Sequence, residues 1–177
     1  MKIGFFGGSF NPPHRGHTGV AEAVLATGKV DQIYLALSYH APHKDRAGVS
    51  FFDRMQMLKL AVRGRQNLIP CDVENVLKLS PSYTLKILDY LSQTEAQHQF
   101  SLIIGEDSLR DLHLWYRAGE LVERYPVITY VRSKTQNIRP EDLPAWPRAI
   151  AEQLCQNVLY GDFFQISSSE IRNSMAK

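Results

Sequence analysis

Lys2 to Phe6 is a short apolar run that reads as a buried β-strand, and it leads directly into Gly7-Gly8-Ser9-Phe10-Asn11-Pro12-Pro13-His14-Arg15-Gly16-His17. A strand, a glycine turn and a helix start in immediate succession place free backbone N–H groups and the positive end of a helix at one point. That is a cradle for phosphate. Gly7 and Gly8 lack a Cβ and let the backbone come close to a ligand. His14 and His17 can add hydrogen bonds to phosphate oxygens. The blander readings stand beside this one: Gly-Gly after a strand is common, and two histidines three apart also suit a metal pair or an exposed polar turn. The stretch fits neither G-x-x-x-x-G-K-[ST] nor G-x-G-x-x-G.

Downstream, strands and helices alternate. Thr18–Ala26 reads as a helix with Val20, Val24 and Leu25 on one side, and Asp31–Leu37 as a second strand. Ser50 with Asp53 is a capping box, opening a helix that carries Phe51, Met55, Leu58 and Val62. Asn67–Val73 is a third strand. Ser80-Pro81 starts a helix with Pro81 at its first position and Leu85, Leu88 and Leu91 toward the core. Phe100–Gly105 is a buried strand, Leu109–Tyr125 a helix with a break near Trp115, and Val127–Val131 a strand. Gly161–Ile166 is the last strand, and Ser167 with Glu170 caps a terminal helix. Arg132 to Trp146, with Pro140 and Pro144, reads as a surface excursion. Such alternation predicts a doubly wound, mostly parallel α/β sheet with helices on both faces. Ligands of such sheets sit at the carboxyl ends of the strands, where strand order reverses.

With 177 residues, residues 1–177 are expected to form one domain. Twenty Lys and Arg against 18 Asp and Glu, a net +2, argue against a dedicated nucleic-acid or membrane-surface binder. Cys71 and Cys155 are too few for a zinc site or disulfide framework, so a reducing cytoplasm is expected. No signal peptide and no membrane span is expected.

Other motifs follow strands or open helices. Ala41-Pro42-His43-Lys44 is, taken alone, a polar loop; its functional reading is a mobile loop bringing His43 and Lys44 to phosphate. No Cys lies near His14, His17, His40 and His43 to complete a zinc site, which ranks phosphate contact above zinc. Ser82-Tyr83-Thr84 caps a helix and offers N–H groups to an anion. Gly105 and Asp107 close a buried strand, where a carboxylate can accept ribose hydroxyls or simply cap a helix. Trp115-Tyr116-Arg117 is either core or an aromatic face for a planar ring. Capping explains Ser167 and Glu170 but not Ser168, Ser169 and Arg172, which suit a polyphosphate.

The opening stretch resembles G-[ST]-F-D-P-x-H-x-G-H, the nucleotide-binding turn of the nucleotidyltransferase superfamily, with Asn11 in place of Asp. Its H-x-G-H is similar to the H-I-G-H of class I aminoacyl-tRNA synthetases. Together with P-H-K, P-S-Y-T, I-I-G-x-D-S-L followed by W-Y-R, and I-S-S-S-x-I-R in that order, the chain resembles bacterial nicotinate-mononucleotide adenylyltransferases over nearly its whole length. The resemblance implies a Rossmann-like fold, ATP and a pyridine mononucleotide as substrates, and Mg²⁺ held mainly by ATP. It implies a catalytic set of His14, His17, Lys44 and Arg172. ATP would be bound by Gly7, Gly8, Ser9, Phe10, Gly105, Asp107, Ser167, Ser168 and Ser169. The mononucleotide would be bound by His43, Ser82, Tyr83, Thr84, Trp115, Tyr116 and Arg132, with Trp115 stacked on the pyridine ring. The chain departs from the family pattern at Ser38-Tyr39-His40-Ala41, before Pro42, and at Ser133-Lys134, after Arg132. It also ends at Lys177, where the family carries a further helical tail. These departures leave open another phosphorylated acceptor for adenylyl or cytidylyl transfer, a non-catalytic nucleotide-binding paralogue, and a homo-oligomer. The altered stretch before Pro42 predicts discrimination between nicotinate and nicotinamide weaker than the family norm.

Overall fold

A computed structural model of the protein describes residues 1–39, 49–132, 137–161 and 166–175. Six strands form one sheet: β1 (Lys2–Gly8), β2 (Gln32–Leu37), β3 (Leu68–Cys71), β4 (Gln99–Gly105), β5 (Val127–Val131) and β6 (Val158–Tyr160). Their order is β3-β2-β1-β4-β5-β6, and every neighbouring pair is parallel. The sheet expected to be mostly parallel is therefore wholly so. Pro70, which has no N–H to give, sits in the edge strand β3, where it is tolerated. Strand order reverses between β1 and β4, which makes the carboxyl ends of those two strands the place for a ligand.

Side chains alternate to two cores, one on each face. Ile3, Phe5, Leu102, Ile104, Val127 and Val131 meet α4 (Thr84–Thr94), α6 (Ala118–Arg124) and α7 (Arg148–Gln156) on one side. Phe6, Ile33, Leu35, Leu37, Ile103 and Ile128 meet α1 (Arg15–Ala26) and α2 (Phe51–Ala61) on the other. Burying one such side chain is worth about 1.5–3 kcal/mol, against about 0–1 for an exposed ion pair. The two cores thus outweigh surface pairs such as Arg65–Glu22 and Arg148–Glu141.

Element boundaries differ from the sequence reading in physically instructive ways. β1 runs through Gly8 rather than stopping at Phe6, and α1 begins at Arg15 because His14 caps it. The third strand ends at Cys71, since Val73 opens a short helix, α3 (Val73–Leu77). α4 starts at Thr84 rather than Pro81, because Tyr83 is still extended at φ −108° and ψ 126°. The span 109–125 divides into α5 (Glu106–Asp111), a 3₁₀ turn at Leu112–Leu114 and α6, with Trp115 extended and Arg117 left-handed at φ 51°. The last strand is β6, upstream of the expected Gly161–Ile166; of that segment Gly161 and Ile166 lie outside any strand and 162–165 outside the described residues. Helix α7 had no expectation, and the excursion before it is anchored by buried Ile138 and Leu143. α8 (Ser168–Met175) completes the chain as described.

One charged side chain ties the functional edge together. Arg54 on α2 is buried, and its guanidinium donates to the carbonyls of Ser9 at 3.0 Å, Ser38 at 2.9 Å and Tyr39 at 3.4 Å. Tyr39 in turn donates its N–H to the buried carboxylate of Glu74 at 3.2 Å. The turn after β1 and the turn after β2 are thus held by one planar fork, a task for which Lys has the wrong shape. Arg54→Met is expected to cost about 2–4 kcal/mol, because it strips charged hydrogen bonds from buried carbonyls. Arg54→Lys should recover only part of that. Urea unfolding of the two variants against the parent measures both values.

Candidate active site

The H-x-G-H stretch folds as a cap. His14 is extended at φ −146° and ψ 172°, and its Nδ1 accepts the N–H of Gly16 at 3.1 Å. Reciprocally, His17 Nδ1 accepts the N–H of His14 at 3.2 Å. This is a capping box built from two imidazoles, where Ser and Glu usually serve. The rings lie 3.8 Å apart between centroids at 30°, side by side at the start of α1. Gly16 is required for this: a Cβ there would stand 2.9 Å from His14 Cε1 and Nδ1 and 3.4 Å from Ile166. Burial, then the positive charge of Arg132, holds the His14 pKa below its ordinary value of 6.5, and Glu170 opposes this.

The carboxyl-terminal helix docks against the same turn. Ser168 Oγ donates to the Pro12 carbonyl at 2.9 Å. Arg172 donates to the Asn11 carbonyl and, at 3.0 Å, to Ser169 Oγ. The expected capping box is present, with Ser167 N–H to Glu170 Oε2 at 2.8 Å and Glu170 N–H to Ser167 Oγ at 3.2 Å. Ser168 and Arg172, read from sequence as phosphate contacts, therefore also hold the Asn11–Pro12 turn in place.

On the other side of β1, the ends of β4 and β5 enclose a cavity of about 240 Å³ lined by Gly105, Glu106, Asp107, Tyr130 and Arg132. Gly105 leaves this space open beneath Tyr130, whose hydroxyl would lie 3.3 Å from a Cβ there. Glu106 is engaged by Arg110 at 2.7 Å, while Asp107 is exposed at the mouth. Arg132, read as a mononucleotide contact, lines this cavity and acts electrostatically on His14. Phe10 is a second adjustment: its ring is buried in the core at φ 40°, leaving only its backbone for a ligand. A Cβ on Gly8 would meet that ring at 3.1 Å, so the room beside Gly8 is filled by protein. Gly7 and Ser9 remain partly open at the strand end, and Ser9 gives its carbonyl to Arg54.

The residues expected at the acceptor gather at the start of α4 and the bend before α6. Tyr83 and Tyr116 stack at 4.2 Å and 19°, with Lys86 Nζ about 5.5 Å from both rings. Trp115 is half-buried and packs against the core, so the exposed aromatic belongs to Tyr116, not to Trp115. Ser82 Oγ is buried with no hydrogen-bond partner among the described residues, and Thr84 is the first residue of α4. His43 and Lys44 lie outside the described residues. Arg54, Glu74 and Tyr130 are functional-edge residues that the motifs did not reveal. Arg54 had a signal, since it stands between Phe51, Met55 and Leu58 on the apolar stripe of its helix.

Among the described residues, no group of three His, Cys, Asp or Glu could hold a metal ion, and no helix is long and apolar enough to cross a membrane. The cytidylyltransferase-like family profile matches residues 5–174. A probable nicotinate-nucleotide adenylyltransferase of Caldicellulosiruptor bescii is 32% identical over 177 residues, covering 100% of this chain and 88% of the relative. One from Flavobacterium johnsoniae is 33% identical, covering 99% and 86%. Among solved structures, Plasmodium falciparum nicotinic acid mononucleotide adenylyltransferase complexed with NaAD superposes with a TM-score of 0.73 at 18% identity, covering 97% and 82%. A putative nicotinate-nucleotide adenylyltransferase of Vibrio parahaemolyticus gives 0.69 at 21%, covering 99% and 86%. These two establish the shared fold. A histidine-capped helix at the β1/β4 reversal, matched along its full length by such relatives, places the chain in the cytidylyltransferase-like nucleotidyltransferases, among the nicotinate-nucleotide adenylyltransferases.

Proposed function

We propose that the protein joins ATP and nicotinate mononucleotide into the dinucleotide, releasing pyrophosphate. The observation that carries this reading is the imidazole pair at the start of α1, in a chain whose relatives bear that name. Because each Nδ1 accepts a backbone N–H, the proton of each neutral ring sits on Nε2. The two Nε2–H groups then form a paired donor at the positive end of α1. An acceptor phosphate oxygen attacks the α-phosphorus in line, the bond to the bridging oxygen breaks, and pyrophosphate leaves with the electron pair. No protein nucleophile is required, so catalysis is positioning and charge stabilisation.

Arg172, Ser169 and the N–H groups at the start of α8 would take the leaving phosphates, and Lys44 would add its charge to theirs. Asp107 would accept the ribose hydroxyls of ATP beside Gly105, and Arg132 would neutralise charge between that cavity and His14. Ser82, Thr84 and the Tyr83–Tyr116 pair would receive the pyridine ring, with Tyr116 offering more open aromatic surface than Trp115. Mg²⁺ would enter on the ATP phosphates. Glu170, the carboxylate that acts on His14, is committed to Ser167, so no step is assigned to a protein-held metal.

An acceptor panel tests the reading: ATP and Mg²⁺ with nicotinate mononucleotide, nicotinamide mononucleotide, phosphopantetheine or flavin mononucleotide, followed by pyrophosphate release. Turnover with a pyridine mononucleotide is expected. Its absence, with turnover on another acceptor, removes the substrate assignment. His17→Ala is expected to lower kcat by about 10²–10³, the worth of one donor in the transition state, with a far-UV spectrum like that of the parent.

The His14 environment also sets a pH dependence. Its folded pKa lies below 6.5, so just below that pH the unfolded chain binds more protons than the folded one. The stability contributed by neutral His14 is present above pH 6.5 and is lost as pH falls through the lower folded value. His14→Asn, which keeps a capping oxygen, should flatten this slope in urea titrations run at successive pH values.

A further inference from the structure

A second cavity lies away from the candidate active site. It holds about 550 Å³ and opens at the opposite edge of the sheet, where the strands begin. Lys2 opens β1, Phe100 and Ser101 lie near the start of β4, and Ile128 near the start of β5. β1 is seven residues long, so about 20 Å of strand separates this cavity from the Gly7–Gly8 end.

Its walls carry Lys2, Lys29, His98 and Arg124, and no acidic side chain. Arg124 is already matched by Asp89 at 2.7 Å and Glu120 at 3.0 Å. The two lysines are not: among the described residues neither forms an ion pair, and Lys29 Nζ rests on the neutral amide oxygen of Asn157 at 2.9 Å. The nearby carboxylates have other work. Asp31 accepts the backbone N–H of Lys2 at 2.7 Å, and Glu95 accepts the Tyr34 hydroxyl at 2.8 Å while standing 3.9 Å from His98.

We propose that this cavity is a second binding site, for a small organic phosphate. Two ammonium groups, an imidazole and the Ser92 and Ser101 hydroxyls suit an oxyanion. Ammonium groups repel cations, so a metal ion does not fit. A bare phosphate would leave most of the space empty, since the share of one water is about 30 Å³. Beside the Gln99 and Asn157 side chains, Phe100, Tyr125, Pro126 and Ile128 add carbon to the wall, which suits an organic body. The volume falls within the roughly 300–1,000 Å³ typical of small-molecule sites.

The test uses proton NMR of the six imidazoles in the intact protein, with the His98 resonance identified from His98→Gln. Ribose 5-phosphate is titrated, with inorganic phosphate as the headgroup control. The His98 resonance should shift saturably with ribose 5-phosphate and respond to inorganic phosphate only at about tenfold higher concentration. Lys2→Ala/Lys29→Ala removes two exposed side chains remote from the candidate active site. It should weaken the His98 response about tenfold or more, the order expected for two lost charge contacts, and leave kcat unchanged. A silent His98, a response that survives the double substitution, or equal affinity for inorganic phosphate would overturn the proposal.

Discussion

Five register pairs between β1 and β4, from Lys2↔Gln99 to Phe6↔Ile103, determine where everything else in the molecule can go. These strands are almost a hundred residues apart in the chain, yet they are neighbours in the sheet. From this seam the order grows outward in both directions, so the segments leaving β1 and β4 turn to opposite faces. A gap opens above the seam, and the capped start of α1, the Gly105 cavity and the docked α8 all border it. Because every strand is parallel, all carboxyl ends face that gap and all amino ends face the other edge. One topological fact therefore accounts for both the candidate catalytic edge and the lysine-lined cavity beneath it.

The H-x-G-H stretch shows how a single local structure serves fold and chemistry together. Each imidazole satisfies a backbone donor that a helix start would otherwise leave free. That commitment fixes the tautomer and the ring orientation, so the same bonds that stabilise α1 aim the two remaining N–H groups. Gly16 is the geometric condition, since any side chain there would push against His14. Substitution in this stretch is therefore expected to lower stability as well as rate while the fold survives.

Strand-and-helix alternation was legible because buried parallel strands such as Phe100–Gly105 are short apolar runs between turn residues. The N-terminal motif and the Ser167–Glu170 cap were legible because they are local. What escaped the sequence depends on distant partners. Trp115 has the same letters whether its indole lines a pocket or packs on the core, and here it packs on the core. Arg54 earns its position from three carbonyls on two other segments, none adjacent to it in sequence. β6 is three residues of middling burial, too short for a period-two signal. Helix α7 hid behind Pro147, although Ala151 and Leu154 carry its buried side.

The contact of α8 with the first turn joins Arg172 to Asn11 across 161 positions of chain. Closing so long a loop is entropically slow to begin and gains only a few hydrogen bonds when it ends. The strands up to β5 precede residue 172 in the chain, so the contact with Asn11 is the later one to form. During synthesis, the nascent chain thus passes through a stage in which β1 to β5 exist and nothing from α8 yet braces the Asn11–Pro12 turn.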